Sequence, residues 1–226
     1  FWIIDDLSPL HQLDEFARGA DFHLFRPKPS YRMRQGRGRR DPLLQGENHP
    51  AGVLFYFDVM RALEDDDRVS LEILEADGTL IKRFASDAAD AKEKLAVKEG
   101  ANRFVWDMRY PDALSFDGLI LYSSNTRGPV AVPGAYRARL TVNGDSVEQP
   151  FEILKDPRVE ASVADLQAQF DFLIDVRDKL SEAHQAVIDV RTVRRDLDYL
   201  ESKLDDDAPE RVREAIALLR KDMTVI

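Results

Sequence analysis

The chain of 226 residues contains no cysteine. That excludes disulfides, thiolate chemistry and cysteine-based zinc sites, and it fits either a cytosolic protein or one exported without disulfides. No apolar run approaches the roughly 20 residues that a membrane-crossing helix requires. Histidine is scarce: the four (His11, His23, His49 and His184) are scattered, and none has the spacing of a metal motif such as HExxH, so each reads as a surface or packing residue. Positive charge is short as well. With 32 Lys and Arg against 42 Asp and Glu, the formal net charge of -10 argues against general nucleic-acid binding, which depends on cations that neutralise phosphates. An initiator methionine and a polar lead-in are also missing. The apolar run Phe1-Trp2-Ile3-Ile4, ended by Asp5-Asp6, reads as a buried strand reaching a turn. Because a single strand is not stable alone in water, this start predicts a piece of a longer protein.

What is present divides by periodicity into three zones: 1–50, 51–157 and 158–226. In the first, positions 26–40 hold seven basic residues (Arg26, Lys28, Arg32, Arg34, Arg37, Arg39, Arg40), no acid, two prolines and two glycines. Neither a helix nor a central strand suits that composition. Guanidinium forks on Arg32, Arg34, Arg37, Arg39 and Arg40 are candidate ligands for a phosphate or an acidic glycan. A solvated connector is the weightier reading.

In the second zone the period is two. Val53, Phe55, Phe57 and Val59 share one face of a strand, and Val69, Leu71 and Ile73 share one face of the next. Asp77-Gly78 offers a tight hairpin turn before a return strand, and Asn143-Gly144 does the same after Tyr136, Ala138, Leu140 and Val142. Phe104, Trp106 and Met108 alternate outward and inward with Val105, Asp107 and Arg109. Six or seven short strands in this zone predict an immunoglobulin- or fibronectin-like β-sandwich with a buried tryptophan. The stretch 86–100 is helix-prone, and a short helix or long loop is expected there.

In the third zone the period changes to 3.6. Ser162 and Asp165 resemble a capping box. Leu166, Phe170, Leu173, Leu180, Val187, Val190, Leu197, Leu200 and Leu204 then keep helical spacing, which predicts a helix of about 40 residues unless it breaks near Ser181. Asp207 is expected to cap a second helix striped by Val212, Ile216 and Leu219, folded back as an antiparallel hairpin. Arg177, His184, Arg191 and Arg194 interrupt a strict coiled-coil seam, which favours packing within the chain over dimerisation. The predicted fold is therefore mainly β with α: a sandwich followed by a long C-terminal helical hairpin.

No catalytic constellation rises from these residues. Asp5 and Asp6 are neighbours along a strand and point to opposite faces, so a turn role outweighs a paired-carboxylate site. The acidic triplets 65–67 and 205–207 lack the alternating ligands of a calcium loop and read as turns. Trp106, Tyr110, Tyr122 and Tyr136 could form an aromatic platform for sugar rings, but Trp106 falls with Phe104 and Met108 in the strand alternation, which makes core packing the weightier reading. Tyr110 and Tyr122 flank a Gly/Pro-rich loop and remain candidates for a sugar-binding platform. No metal and no cofactor is expected.

The blocks FWIIDDLSPL, LFRPKPSYR, GANRFVWDMRYP, GPVAVPGAYRARLTVNG and FEILKDPRV, in that order, resemble the C-terminal region of large bacterial β-propeller proteins with BNR (Asp-box) repeats. Those proteins are similar to the sortilin/VPS10 propeller and are often labelled glycosyl hydrolase-like. The PGAYRARLTV block also resembles the Ig-like domain of flagellar hook-capping proteins. The resemblance implies that Phe1 to Ile4 closes a propeller blade, that the propeller of the same chain is the first partner, and that the protein is secreted, periplasmic or at the cell surface. It implies a non-catalytic accessory or structural module. Alternatives are a carbohydrate- or protein-binding adhesion module, or part of a glycoside hydrolase whose acids lie in the propeller. No catalytic residue carries over to this chain.

Overall fold

The structure, a computed structural model, describes residues 6–13, 20–33, 49–64, 66–205 and 207–223. The expected strand at Phe1 to Ile4, together with Asp5, lies outside the described residues. Among the described residues, eight strands form two sheets and two α-helices follow, giving a mixed α/β fold. The strands are β1 (Phe22–Leu24), β2 (Ser30–Arg32), β3 (Val53–Val59), β4 (Val69–Glu75), β5 (Leu80–Ala85), β6 (Gly100–Trp106), β7 (Gly134–Val142) and β8 (Asp145–Lys155); the helices are α1 (Val163–Glu201) and α2 (Glu210–Asp222).

One sheet has the order β1-β3-β6 and the other β2-β8-β7-β4-β5. Every pairing is antiparallel except β2 with β8, which places Arg32 beside Lys155. Both β1 and β2 come from the segment before Pro50, and each takes an edge position. That agrees with the exclusion of a central strand from the basic stretch, but the pattern there is too short and too rich in Pro to announce strands.

The hairpin turns form where the chain supplies residues tolerant of positive φ. Asn143 and Gly144 stand at φ 52° and 99°, and this turn joins β7 to β8 in tight register. Between β4 and β5, Gly78 stands at φ 94° and the amide of Thr79 donates to Asp77 Oδ1 at 2.9 Å. No helix forms in residues 86–100. The chain loops back instead, the amide of Leu95 donating to the carbonyl of Ala85 at 2.9 Å, and Leu95 is buried in the core. Burial of one leucine outweighs the helix propensity of that stretch, which amounts to only roughly tenths of a kcal/mol per residue.

Alternation brings Val53, Phe55, Phe57 and Val59 of one sheet and Leu71, Ile73, Tyr136, Ala138, Leu140, Phe151 and Ile153 of the other into a single buried cluster. Trp106 lies among them, 1% exposed, with Phe151 and Tyr136 both edge-on to it. Its indole N–H donates to the Arg109 carbonyl at 3.0 Å, so the buried polar atom is satisfied.

The chain divides into two compact units: Phe1–Pro111 with Gly128–Phe172, and Asp112–Arg127 with Leu173–Ile226. The first holds both sheets and the start of α1. There the expected capping box is present, the Ser162 amide donating to Asp165 Oδ2 at 2.9 Å and the Asp165 amide to Ser162 Oγ at 3.1 Å. Helix α1 runs through Ser181 without a break.

In the second unit, loop 112–127 lies on α1 through the residues that interrupt the apolar stripe. The amide of Leu114 donates to Ser181 Oγ at 3.0 Å, and His184 Nδ1 meets the Leu114 carbonyl. Arg191 donates to the Asp117 carbonyl at 2.9 Å and covers the ring of Phe116. The stripe itself stays partly in solvent, with Leu173, Val187 and Leu200 exposed. Loop carbonyls need donors, and polar helix residues supply them. Helix α2 meets α1 at its far end, where Leu197 and Ile216 are buried and Arg220 bridges Asp198 and Glu201. Asp207 does not cap α2: the cap position is Pro209, with no side-chain bond, because proline enters with its φ already near the helical value and has no N–H to satisfy.

Candidate functional site

In the first unit, strands β2, β4, β7 and β8 end with polar side chains clustered at one margin of the core. Tyr136 occupies the third position of β7, directly opposite Glu75 at the end of β4. Its hydroxyl donates to the Val132 carbonyl at 2.7 Å, and burial, with the Glu75 carboxylate nearby, pushes the phenol up to about 12. Glu75 accepts a hydrogen bond from the hydroxyl of Tyr110, whose ring packs edge-on to Phe170. Burial and that carboxylate raise the Tyr110 pKa far above its ordinary value. Both phenols are therefore held as donors, not as acids or bases.

Arg32 ends β2 with its side chain half-buried. Its Nε is buried without a hydrogen-bond partner, and no ion pair reaches its guanidinium among the described residues. Burial, and Arg109 within electrostatic range, lower its pKa, while Tyr136 acts in the opposite sense. Arg109 behaves otherwise: it donates to the Gly128 carbonyl at 2.6 Å and faces Asp107 at 4.0 Å. Lys155, opposite Arg32 in the register, gives its ammonium to the carbonyls of Val159 and Ala161. The margin thus carries three cations, of which Arg109 faces the Asp107 carboxylate and Lys155 is held by two carbonyls, while Glu75 accepts from the Tyr110 phenol.

Two clefts open on the same unit. One, of about 260 Å³, is lined by Lys28, Tyr31 and Met33 on one side and by His49, Pro50 and Leu54 on the other; Tyr31 is 49% exposed. The other, of about 450 Å³, lies between Asp67, Arg68 and Asp87, with Leu63, Lys94 and Leu95 around it. Asp67 is committed there: hydrogen bonds from Arg61, Asn143 and the Glu64 amide hold its carboxyl well below the usual range.

Of the residues singled out from the sequence, Arg32 and Tyr110 share Tyr136 as a neighbour. Arg34, Arg37, Arg39 and Arg40 lie outside the described residues. Tyr122 belongs to the second unit and is fully exposed, two residues from the largely exposed Ile120. Tyr110 and Tyr122 thus differ: one is tied into packing, the other faces solvent. Glu75, Arg109 and Lys155 joined the margin without a signal in the sequence, because each lies on a different element and only strand pairing assembles them. Among the described residues no group of three or more His, Asp or Glu could hold a metal ion, and no helix is long and apolar enough to cross a membrane.

No family model matches this chain, and no curated protein matches it.

Proposed function

We propose that this chain is a non-catalytic accessory module of a larger β-propeller protein, of the BNR and sortilin-like type, working outside the cytoplasm. Its fold in this reading is an immunoglobulin- or fibronectin-like sandwich followed by a helical hairpin. The tyrosine near the start of β7, with its hydroxyl on a carbonyl four residues upstream, has the form of the tyrosine corner of such sandwiches, and the buried Trp106 fits their core.

The observation that carries the accessory role is the fastening of the segment before Pro50. Its strands β1 and β2 pair with β3 and β8, one in each sheet. A load arriving along that segment passes into both sheets through backbone hydrogen bonds. Side chains with chemical potential are meanwhile engaged structurally: Tyr110 with Glu75, Asp67 with Arg61, His184 with a loop carbonyl. The test is deletion of residues 51–223 from the full-length natural protein. The propeller should keep its ligand chemistry and lose thermal stability; loss of that chemistry with the propeller still folded overturns the reading.

A second reading, an adhesion module for glycans or proteins, is favoured by Tyr122 and Ile120, two large apolar side chains open to solvent on one loop. Tyr122→Ala should then abolish capture of the partner and leave the fold unchanged. A variant that captures as well as the parent removes this role from the loop.

A further inference from the structure

We propose that the free edge of β6 docks an extended acidic segment of another protein, which joins the three-stranded sheet as a further strand opposite Arg103. Strand β6 stands at the end of its sheet and pairs, among the described residues, with β3 alone. Parity decides which of its backbone groups face outward. The amide of Phe25 donates to the Tyr56 carbonyl and that of Met60 to the Asp21 carbonyl. Tyr56 and Asp58 therefore turn their backbone groups to β1, and Phe55 and Phe57 turn theirs to β6. Register then places the inward bonds of β6 at Asn102 and Phe104, and leaves the N–H and C=O of Ala101, Arg103 and Val105 pointing away from the sheet. Among the described residues these groups meet no partner.

The other sheet edges differ. Strands β1 and β2 are three residues each. Strand β5 is covered by the loop after it, the Ala85 amide donating to the Glu93 carbonyl and the Leu95 amide to that of Ala85. Strand β6 runs seven residues in unbroken register, without a proline or a bulge to blunt it. An open row of donors and acceptors of that length is a template for one more strand. Side chains define what fits it. Arg103, at the centre of the edge, is exposed and has no hydrogen bond or ion pair among the described residues, so an acid directly opposite gains a cross-strand ion pair. A second copy paired about the same centre sets guanidinium against guanidinium, which disfavours self-association. On the inner face Phe104 is only partly buried and packs on Phe84 of β5, ring centroids 4.5 Å apart. Apolar residues on either side of the acid extend this packing, because alternation turns them to the face of Phe104. The fitting segment thus reads apolar, acidic, apolar. Docking at this edge is independent of the propeller reading.

The test is amide hydrogen exchange and NMR titration of the intact chain with three end-blocked peptides: Thr-Val-Glu-Val-Thr, its counterpart Thr-Val-Lys-Val-Thr, and the first peptide N-methylated at its glutamate. In the free chain the Arg103 and Val105 amides should exchange fast, while those of Asn102 and Phe104 are protected. The glutamate peptide should shift and protect Arg103 and Val105, binding about fivefold more tightly than the lysine peptide, the scale of one cross-strand ion pair. Arg103→Glu should reverse that preference. The N-methyl peptide keeps the side chains, loses the central donor and should not bind. Absence of any shift at millimolar glutamate peptide overturns the site, and equal binding by the N-methyl peptide overturns strand pairing. Equal affinity for the glutamate and lysine peptides overturns the acidic assignment. Slow exchange of Arg103 and Val105 in the free chain overturns the open edge; where it rises with protein concentration, the edge belongs to a second copy. Should Arg103→Glu fail to fold, the three peptides on the parent chain decide.

Discussion

The rings of Phe55 and Phe151 meet edge to face, their centroids 5.3 Å apart, and join the two sheets at the centre of the core. Each comes from a different sheet, β3 and β8, and Phe151 also contacts Trp106 and Tyr136. One side chain therefore holds three aromatic partners in place.

Phe151→Ala should cost about 3–5 kcal/mol, the range for removing a buried aromatic and leaving a cavity. Urea denaturation followed by tryptophan emission measures it. A cost under about 1 kcal/mol would mean that the sheets do not share this core.

Tyr136→Phe removes the hydroxyl that donates to the Val132 carbonyl and leaves that acceptor at a buried site, an expected loss of about 1–2 kcal/mol. The parent should also lose stability in alkali. The folded phenol titrates near 12 against 10 when unfolded, so the unfolded chain loses its proton first. The stability is whole below pH 10 and falls as pH rises toward 12. Alkaline unfolding curves of the two proteins should differ across that window; coincident curves reject the assignment.

Gly52 stands at φ 137°, and a Cβ there would lie 2.1 Å from the Trp106 carbonyl oxygen. Backbone cannot yield like a flexible side chain, so Gly52→Ala should destabilise by about 2–3 kcal/mol. Gly134→Ala, with no atom within 4 Å of the added carbon and no positive φ, should be neutral or stabilise by about 0.5 kcal/mol. Thermal melts of the two variants give the contrast directly.

Asp156 accepts hydrogen bonds from the Arg158 side chain at 2.8 and 2.9 Å and from its amide at 3.0 Å, which lower its carboxyl to about 2 from 3.8. A depressed folded pKa stabilises above the unfolded value and is lost as pH falls through the folded one. Stability of the parent should decline between pH 3.8 and about 2, and Asp156→Asn should flatten that part of the profile. An unchanged acid limb in the variant would reject the role.

Local pattern alone determined much of this protein. The period-two runs of β3, β4 and β7, the turns at Asp77-Gly78 and Asn143-Gly144, the capping box at Ser162 and the length of α1 were legible because each depends on residues close in the chain. Burial of Trp106 followed from alternation in the same way. Tertiary structure decided the rest. Strands β1 and β2 are three residues each and exist because β3 and β8 offer them free edges. Residues 86–100 gave up a helix to bury Leu95, and α1 turned His184 and Arg191 to a loop while leaving Leu173 and Leu200 in solvent, since unmet carbonyls outweigh an apolar stripe. The margin around Arg32 gathers side chains separated by up to about 120 positions, and no spacing in a sequence encodes a neighbourhood that only strand register creates.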